Sequence, residues 1–109
     1  MSEPAGVNDD ASGNHPPDQA PIIRELEICN KKGLHARASA KFVQVVEKYD
    51  AQVSVSRNAE SVGGNSIMGL MMLGAGIGTS ITVKATGAQA ADVVAALDAL
   101  VSDRFGVEE

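Results

Sequence analysis

The alternation of apolar and polar residues changes period repeatedly along the chain, and each change marks a new element. Residues 22–29 alternate at their centre, with Leu26 and Ile28 facing one way and Glu25 and Glu27 the other, which predicts a strand with one buried face. Lys31-Lys32-Gly33-Leu34-His35 breaks that pattern. Over residues 36–49 Ala38, Phe42, Val45 and Tyr49 then recur at helical spacing, widened by Val43 and Val46. Residues 52–56 alternate again with Val53 and Val55 inward. A turn at Asn58-Ala59 and a short strand through Val62 complete a predicted hairpin. After the loop residues Gly63-Gly64-Asn65, Ser66 is a cap-type residue and residues 67–73 form a short apolar run fit for one or two helical turns. Residues 79–85 predict a last strand with Ile81, Val83 and Ala85 inward. Residues 88–105 predict a last helix with Val93, Val94, Leu97, Leu100 and Val101 on its apolar face.

The order strand, helix, strand, strand, short helix, strand, helix, with strands polar on one side, suits an α+β open-faced sandwich whose sheet is covered by helices on one face. No internal repeat appears at a period of 20–50 residues. A chain of 109 residues holds one core. Residues 1–20 stand apart: they contain Glu3, Asp9, Asp10 and Asp18, no Lys or Arg, and Ser, Gly, Asn and Pro where a core needs Leu, Ile or Phe. That composition predicts a disordered acidic extension at 1–20 and a folded domain at 21–109. Taking those four acids from the chain's 14 leaves ten against nine bases, so the net charge of -5 falls to -1 for the folded part.

Charge and composition exclude several functions. A near-neutral fold with 3% aromatic residues neither grips nucleic acid nor stacks its bases. The single cysteine, Cys29, closes no intramolecular disulfide, and Met1-Ser2-Glu3-Pro4 lacks a secretory signal's basic and apolar regions, so the expected compartment is the cytoplasm. The longest apolar-leaning stretch, residues 67–77, is too short and too rich in glycine to span a bilayer.

Against that background residues 31–41 are unusual, holding four cations and no carboxylate. Gly33 permits a tight backbone there. His35 falls at the predicted helix start, where unpaired N–H groups and the positive dipole end favour an anion. Neutral imidazole is a nucleophile. A phosphoryl group it accepted would gain its negative charge where the helix N–H groups and Arg37 stabilise it. A helix cap or a plain surface histidine is the alternative role for His35. Metal binding is not expected, because Cys29 and His35 form no recognised ligand pair and His15 lies in the extension. No catalytic triad is available either. Gly74-Ala75-Gly76-Ile77-Gly78 lacks the lysine of a phosphate loop and leads into a strand, so it is read as turns. A two-turn helix on a sheet cannot bury every face, so part of Ile67, Met68, Leu70, Met71 and Met72 is expected to stay exposed for partners. Ser66 serves as a helix cap, and as a phosphorylation site it would place charge beside that surface.

The segments Gly33-Leu34-His35-Ala36-Arg37-Ala38-Ser39-Ala40 and Ser66-Ile67-Met68-Gly69-Leu70-Met71-Met72-Leu73-Gly74 resemble the two signatures of the HPr phosphocarrier family, and the resemblance runs over residues 22–101. It implies a four-stranded antiparallel sheet with three helices on one face. It further implies a carrier, not an enzyme with its own substrate pocket, with no cofactor and a monomeric state. Phosphorylated enzyme I would charge His35 on Nδ1, Arg37 would hold the phosphate, and EIIA-type proteins would receive it. Ser66 would match the serine modified by HPr kinase/phosphorylase, and Ile67, Met68 and Met71 would fall on the docking surface. The resemblance is compatible with sugar transport and with nitrogen-linked regulation. The rival reading is a non-catalytic module that binds a kinase or transcription factor through the Met-rich helix. Two features depart from the family pattern: the acidic extension, and Ala38 in place of the usual proline, which predicts a looser loop.

Overall fold

A computed structural model describes residues 20–107; the predicted extension therefore lies, apart from Ala20, outside the described residues. The chain runs β1 (Ile22–Glu27), α1 (Ala36–Val46), β2 (Gln52–Arg57), β3 (Glu60–Gly63), α2 (Ile67–Met72), β4 (Ser80–Thr86) and α3 (Ala90–Ser102), followed by a 3-10 turn at Arg104–Gly106. The four strands form one antiparallel sheet in the order β1-β4-β2-β3. The α+β open-faced sandwich predicted from the sequence is the architecture observed.

Register explains the core. Leu26 pairs with Ile81, and Val83 pairs with both Arg24 and Val55, so side chains of alternate residues line up in rows across the sheet. The inner rows meet Ala38, Phe42, Val93, Val94, Leu97 and Leu70 from the helices in one buried cluster. The opposite face carries Glu25, Glu27 and Lys84, all exposed. At the β1 edge the inner row ends on Arg24, whose Nη1 lies 2.8 Å from Asp98 Oδ2 of α3. Both side chains are substantially exposed, so the pair adds at most about 1 kcal/mol.

Two helix ends differ from the sequence reading. The α1 helix stops at Val46, not Tyr49, because Lys48 N–H and Tyr49 N–H donate to Val45 and Val46 carbonyls in tighter three-residue turns. Its buried stripe is Ala38, Ser39, Phe42, Val43 and Val46, with Val45 and Tyr49 at the margin. At the other end α3 stops at Ser102. Arg104, Phe105 and Gly106 follow with φ of 55°, 58° and 67°, a left-handed turn that delivers the Phe105 ring into the core. Apolar periodicity registered Phe105 as a core residue but not the reversal of handedness that takes it there.

The glycine-rich segment before β4 turns the chain and also braces another loop. Leu34 N–H donates to Ala75 O at 3.0 Å, and Gly33, at φ 63°, packs against the same carbonyl. A Cβ on Gly33 would collide with Ala75 O and lie 2.8 Å from Gly76 Cα. Gly78 N–H and Thr79 O bond the backbone of Ile28, closing the start of the loop after β1 onto the start of β4.

Phe105→Ala should destabilise the fold by about 3–5 kcal/mol in urea titration, the usual cost of emptying a buried aromatic site. Gly33→Ala should cost roughly 1–3 kcal/mol from its left-handed backbone alone. It should also shift the amide resonances of Leu34 and Gly76, because the two loops must separate to admit the methyl group.

Candidate functional site

The loop after β1 is built to hold His35 in one place. Asn30, fully buried, folds the turn: Gly33 N–H donates to Asn30 O at 3.2 Å, and Asn30 Nδ2 donates to Gly33 O at 2.9 Å. Gly33 O also accepts from His35 N–H at 2.9 Å. Buried Ser39 then ties α1 back to the loop, its Oγ donating to Leu34 O at 3.1 Å. These hydrogen bonds fix the path of the turn.

His35 is the N-cap of α1, with an extended backbone at φ -74° and ψ -178°. Its half-buried imidazole accepts through Nδ1 from Arg37 N–H at 3.1 Å and Ala38 N–H at 3.3 Å. Serine, threonine, asparagine and aspartate usually satisfy these donors; here a ring nitrogen does. An Nδ1 that accepts two N–H bonds carries no proton, so the ring's proton sits on Nε2. The lone pair is therefore at Nδ1, directed at the positive end of an 11-residue helix.

Cations surround it. Lys31, Lys32 and Arg37 are exposed, and Lys41 is half-buried one turn beyond Arg37 on the same face of α1. Ala38 corrects one expectation. It is fully buried in the first turn, and its N–H makes a bond to Nδ1 that no proline could supply, so the substitution adds a tie to the loop where loosening was expected.

The short helix α2 carries the other predicted residues. Ser66 is its N-cap, with Oγ accepting from Gly69 N–H at 3.0 Å. Leu70 and Leu73 are buried, whereas Ile67, Met68, Met71 and Met72 are exposed, Met68 and Met72 to 69% and 74%. Ile77 adds a fifth exposed apolar side chain on the glycine segment that braces Leu34. At the far end of α2, Arg57 donates to Leu73 O at 3.2 Å, a cation at the negative helix terminus.

Cys29 takes no part in this loop's chemistry: its thiol donates to Val101 O at 3.2 Å, satisfying a carbonyl of the last turn of α3. Among the described residues no group of His, Cys, Asp or Glu is placed to hold a metal ion, and no helix is long and apolar enough to cross a membrane. Sequence reasoning missed Asn30 and Ala75. An asparagine opening a glycine turn was a usable signal, whereas Ala75 acts through its backbone and left none.

Comparison with known proteins points the same way. The family described as "PTS HPr component phosphorylation site" matches residues 22–103. Phosphocarrier protein HPr of Cupriavidus necator is 48% identical over 88 residues, covering 81% of this chain and 99% of its own. The HPr of Pseudomonas aeruginosa is 51% identical over 82 residues, 74% of this chain and 91% of its own. The crystal structure of HPr-C-His from Thermoanaerobacter tengcongensis matches with a TM-score of 0.76 at 38% identity, over 81% of this chain and 99% of that one. With a shared fold and a family match spanning both capped helices, the chain belongs to the HPr family of the phosphotransferase system, whose members are phosphocarriers and not enzymes.

Proposed function

We propose that His35 accepts a phosphoryl group on Nδ1 from phosphorylated enzyme I and passes it to an EIIA-type protein. The observation that carries this reading is the Nδ1 lone pair held at the N-terminus of α1 by two backbone N–H groups. In the transfer Nδ1 supplies the electron pair of the new N–P bond. The bond between phosphorus and the donor's own carrier atom breaks, and its pair leaves with that atom. As the bond forms the two helix N–H groups are released from Nδ1 and become available, with the Arg37 guanidinium, to the phosphoryl oxygens.

Ile67, Met68 and Met71 give such partners an apolar surface that remakes its packing for each of them, which suits a carrier that must meet a donor and an acceptor in turn. Ser66 lies at the margin of that surface and is the candidate for modification by HPr kinase/phosphorylase with ATP. A phosphate on Oγ keeps an acceptor at the cap while setting a charge beside apolar side chains that partners bury. The carrier unit in this reading is residues 21–109, working in the cytoplasm. Nitrogen-linked regulation is an output to test beside sugar uptake, since phosphocarrier protein NPr of Shewanella violacea is 37% identical over 84 residues.

Incubation with phosphoenolpyruvate and purified enzyme I should add one acid-labile phosphate, detected by intact-mass analysis, and His35→Ala should abolish it. Label that persists in His35→Ala sinks the assignment. Loss of partner binding in Met68→Asp, with no phosphate found on His35, would instead support a non-catalytic interaction module. Ser66→Asp retains a capping oxygen and should leave stability within about 0.5 kcal/mol of the parent chain. It should slow transfer from enzyme I by about tenfold, equivalent to 1.4 kcal/mol of repulsion and desolvation at the interface. Stopped-flow transfer assays at physiological salt measure that effect, and an unchanged rate excludes gating by charge at this position.

A further inference from the structure

We propose that the backbone N–H of Ala38 holds the phosphoryl group on His35, making the phosphorylated form of this chain more stable than a proline at position 38 would allow. The inference rests on the reading of His35 as a phosphoryl acceptor through Nδ1 and goes one step past it, to a donor that this sequence adds.

Ala38 N–H donates to Nδ1 at 3.3 Å, beside Arg37 N–H at 3.1 Å. Ala38 lies in the first turn of α1, where an N–H has no carbonyl partner within the helix. Its side chain is fully buried, which fixes the direction of that N–H. Asn30, Ser39 and Ala75 brace the turn that carries the ring.

Phosphorylation uses the lone pair to which both donors are bound. Nδ1 forms the N–P bond with that pair, the donor protein's bond to phosphorus breaks with its own pair leaving, and no proton moves at Nδ1. The new N–P bond takes the direction that the two hydrogens occupy, so the ring turns outward from the donors to admit phosphorus, and the anionic oxygens then take up both N–H groups. Each donor exchanges a neutral acceptor for a charged one, and hydrogen bonds to ionised acceptors are roughly twice as strong. Each N–H therefore shifts the equilibrium toward the phosphorylated form, and the helix dipole adds to the shift. A proline at this position would forfeit one of the two contributions, since it has no N–H, while its ring is tolerated in a first helical turn.

The test compares the full chain with Ala38→Pro and Ala38→Gly, each equilibrated with enzyme I at fixed ratios of phosphoenolpyruvate to pyruvate. Phosphorus NMR gives the phosphohistidine fraction. Ala38→Pro should lower the equilibrium constant for phosphorylation by about 3- to 10-fold, whereas Ala38→Gly, which keeps the N–H, should remain within about twofold of the parent. In the parent chain the Ala38 amide proton should move downfield on phosphorylation together with that of Arg37, a signature that a packing role alone would not produce. This shift decides the matter by itself if Ala38→Pro fails to fold. An Ala38 amide that stays in place while His35 carries phosphate overturns the inference and leaves the carrier reading intact. So does an unchanged equilibrium in a folded Ala38→Pro. Absence of phosphate on His35 in all three proteins overturns the carrier reading and this inference together.

Discussion

A helix that begins inside a tight loop must satisfy its first N–H groups, and in this chain two of them end on an imidazole nitrogen. The rest of the site follows from that substitution of a ring for a hydroxyl or carboxylate. A capping ring must be held both in position and in rotation, because its lone pair is useful only while it faces the donors. The turn before it is accordingly tied down by several bonds. Asn30 and Gly33 close it, Ser39 bonds it from α1, and Ala75 bonds it from the segment before β4.

That bracing depends on sheet topology. In the order β1-β4-β2-β3, the end of β1 lies beside the start of β4, so the loop leaving one strand meets the segment entering the other. Gly33 is the point of contact, and its left-handed backbone with no room for a Cβ lets the two main chains touch. The glycines near residue 76, which look like mere punctuation between α2 and β4, thus also carry the loop that presents His35. Fold and site are coupled through backbone groups at the sheet's end, with the apolar core supplying the rigid platform below.

The extent to which this was legible in the sequence follows from the kind of signal each feature leaves. Strand alternation at Leu26, Ile81, Val83 and Ala85 and the helical run through Phe42 are side-chain patterns, and they gave the layers and the element order correctly. The cationic stretch around His35 and the cap residue Ser66 are also side-chain signals, and both stand where the local reading placed them. What escaped were backbone events. The left-handed turn at Arg104 and Phe105 reverses direction without a preceding proline or glycine, so periodicity ran the last helix too far. The Ala75 carbonyl is chemically the same as every other carbonyl. At Ala38 a residue with more conformational freedom than proline has also one more donor, and in this loop the donor is used.

The two residues proposed for modification are both helix N-caps, yet their surroundings give added charge opposite consequences. At His35 the helix start is flanked by Arg37 and exposed lysines, so a phosphoryl group placed there would meet donors and cations. At Ser66 the helix is only six residues long and is followed by exposed Ile67, Met68 and Met71, so the same charge adds little to the fold and bears on whatever covers those side chains. One cap is therefore suited to store a phosphoryl group and the other to change who can approach. The discrimination comes from neighbours, cationic in one case and apolar in the other, since both sites use the same elementary device of an acceptor at the positive end of a helix. The chain's overall charge of -5 obscures this division, because it adds the four acids of residues 1–20 to residues 21–109, which sum to -1 and are locally basic at the histidine.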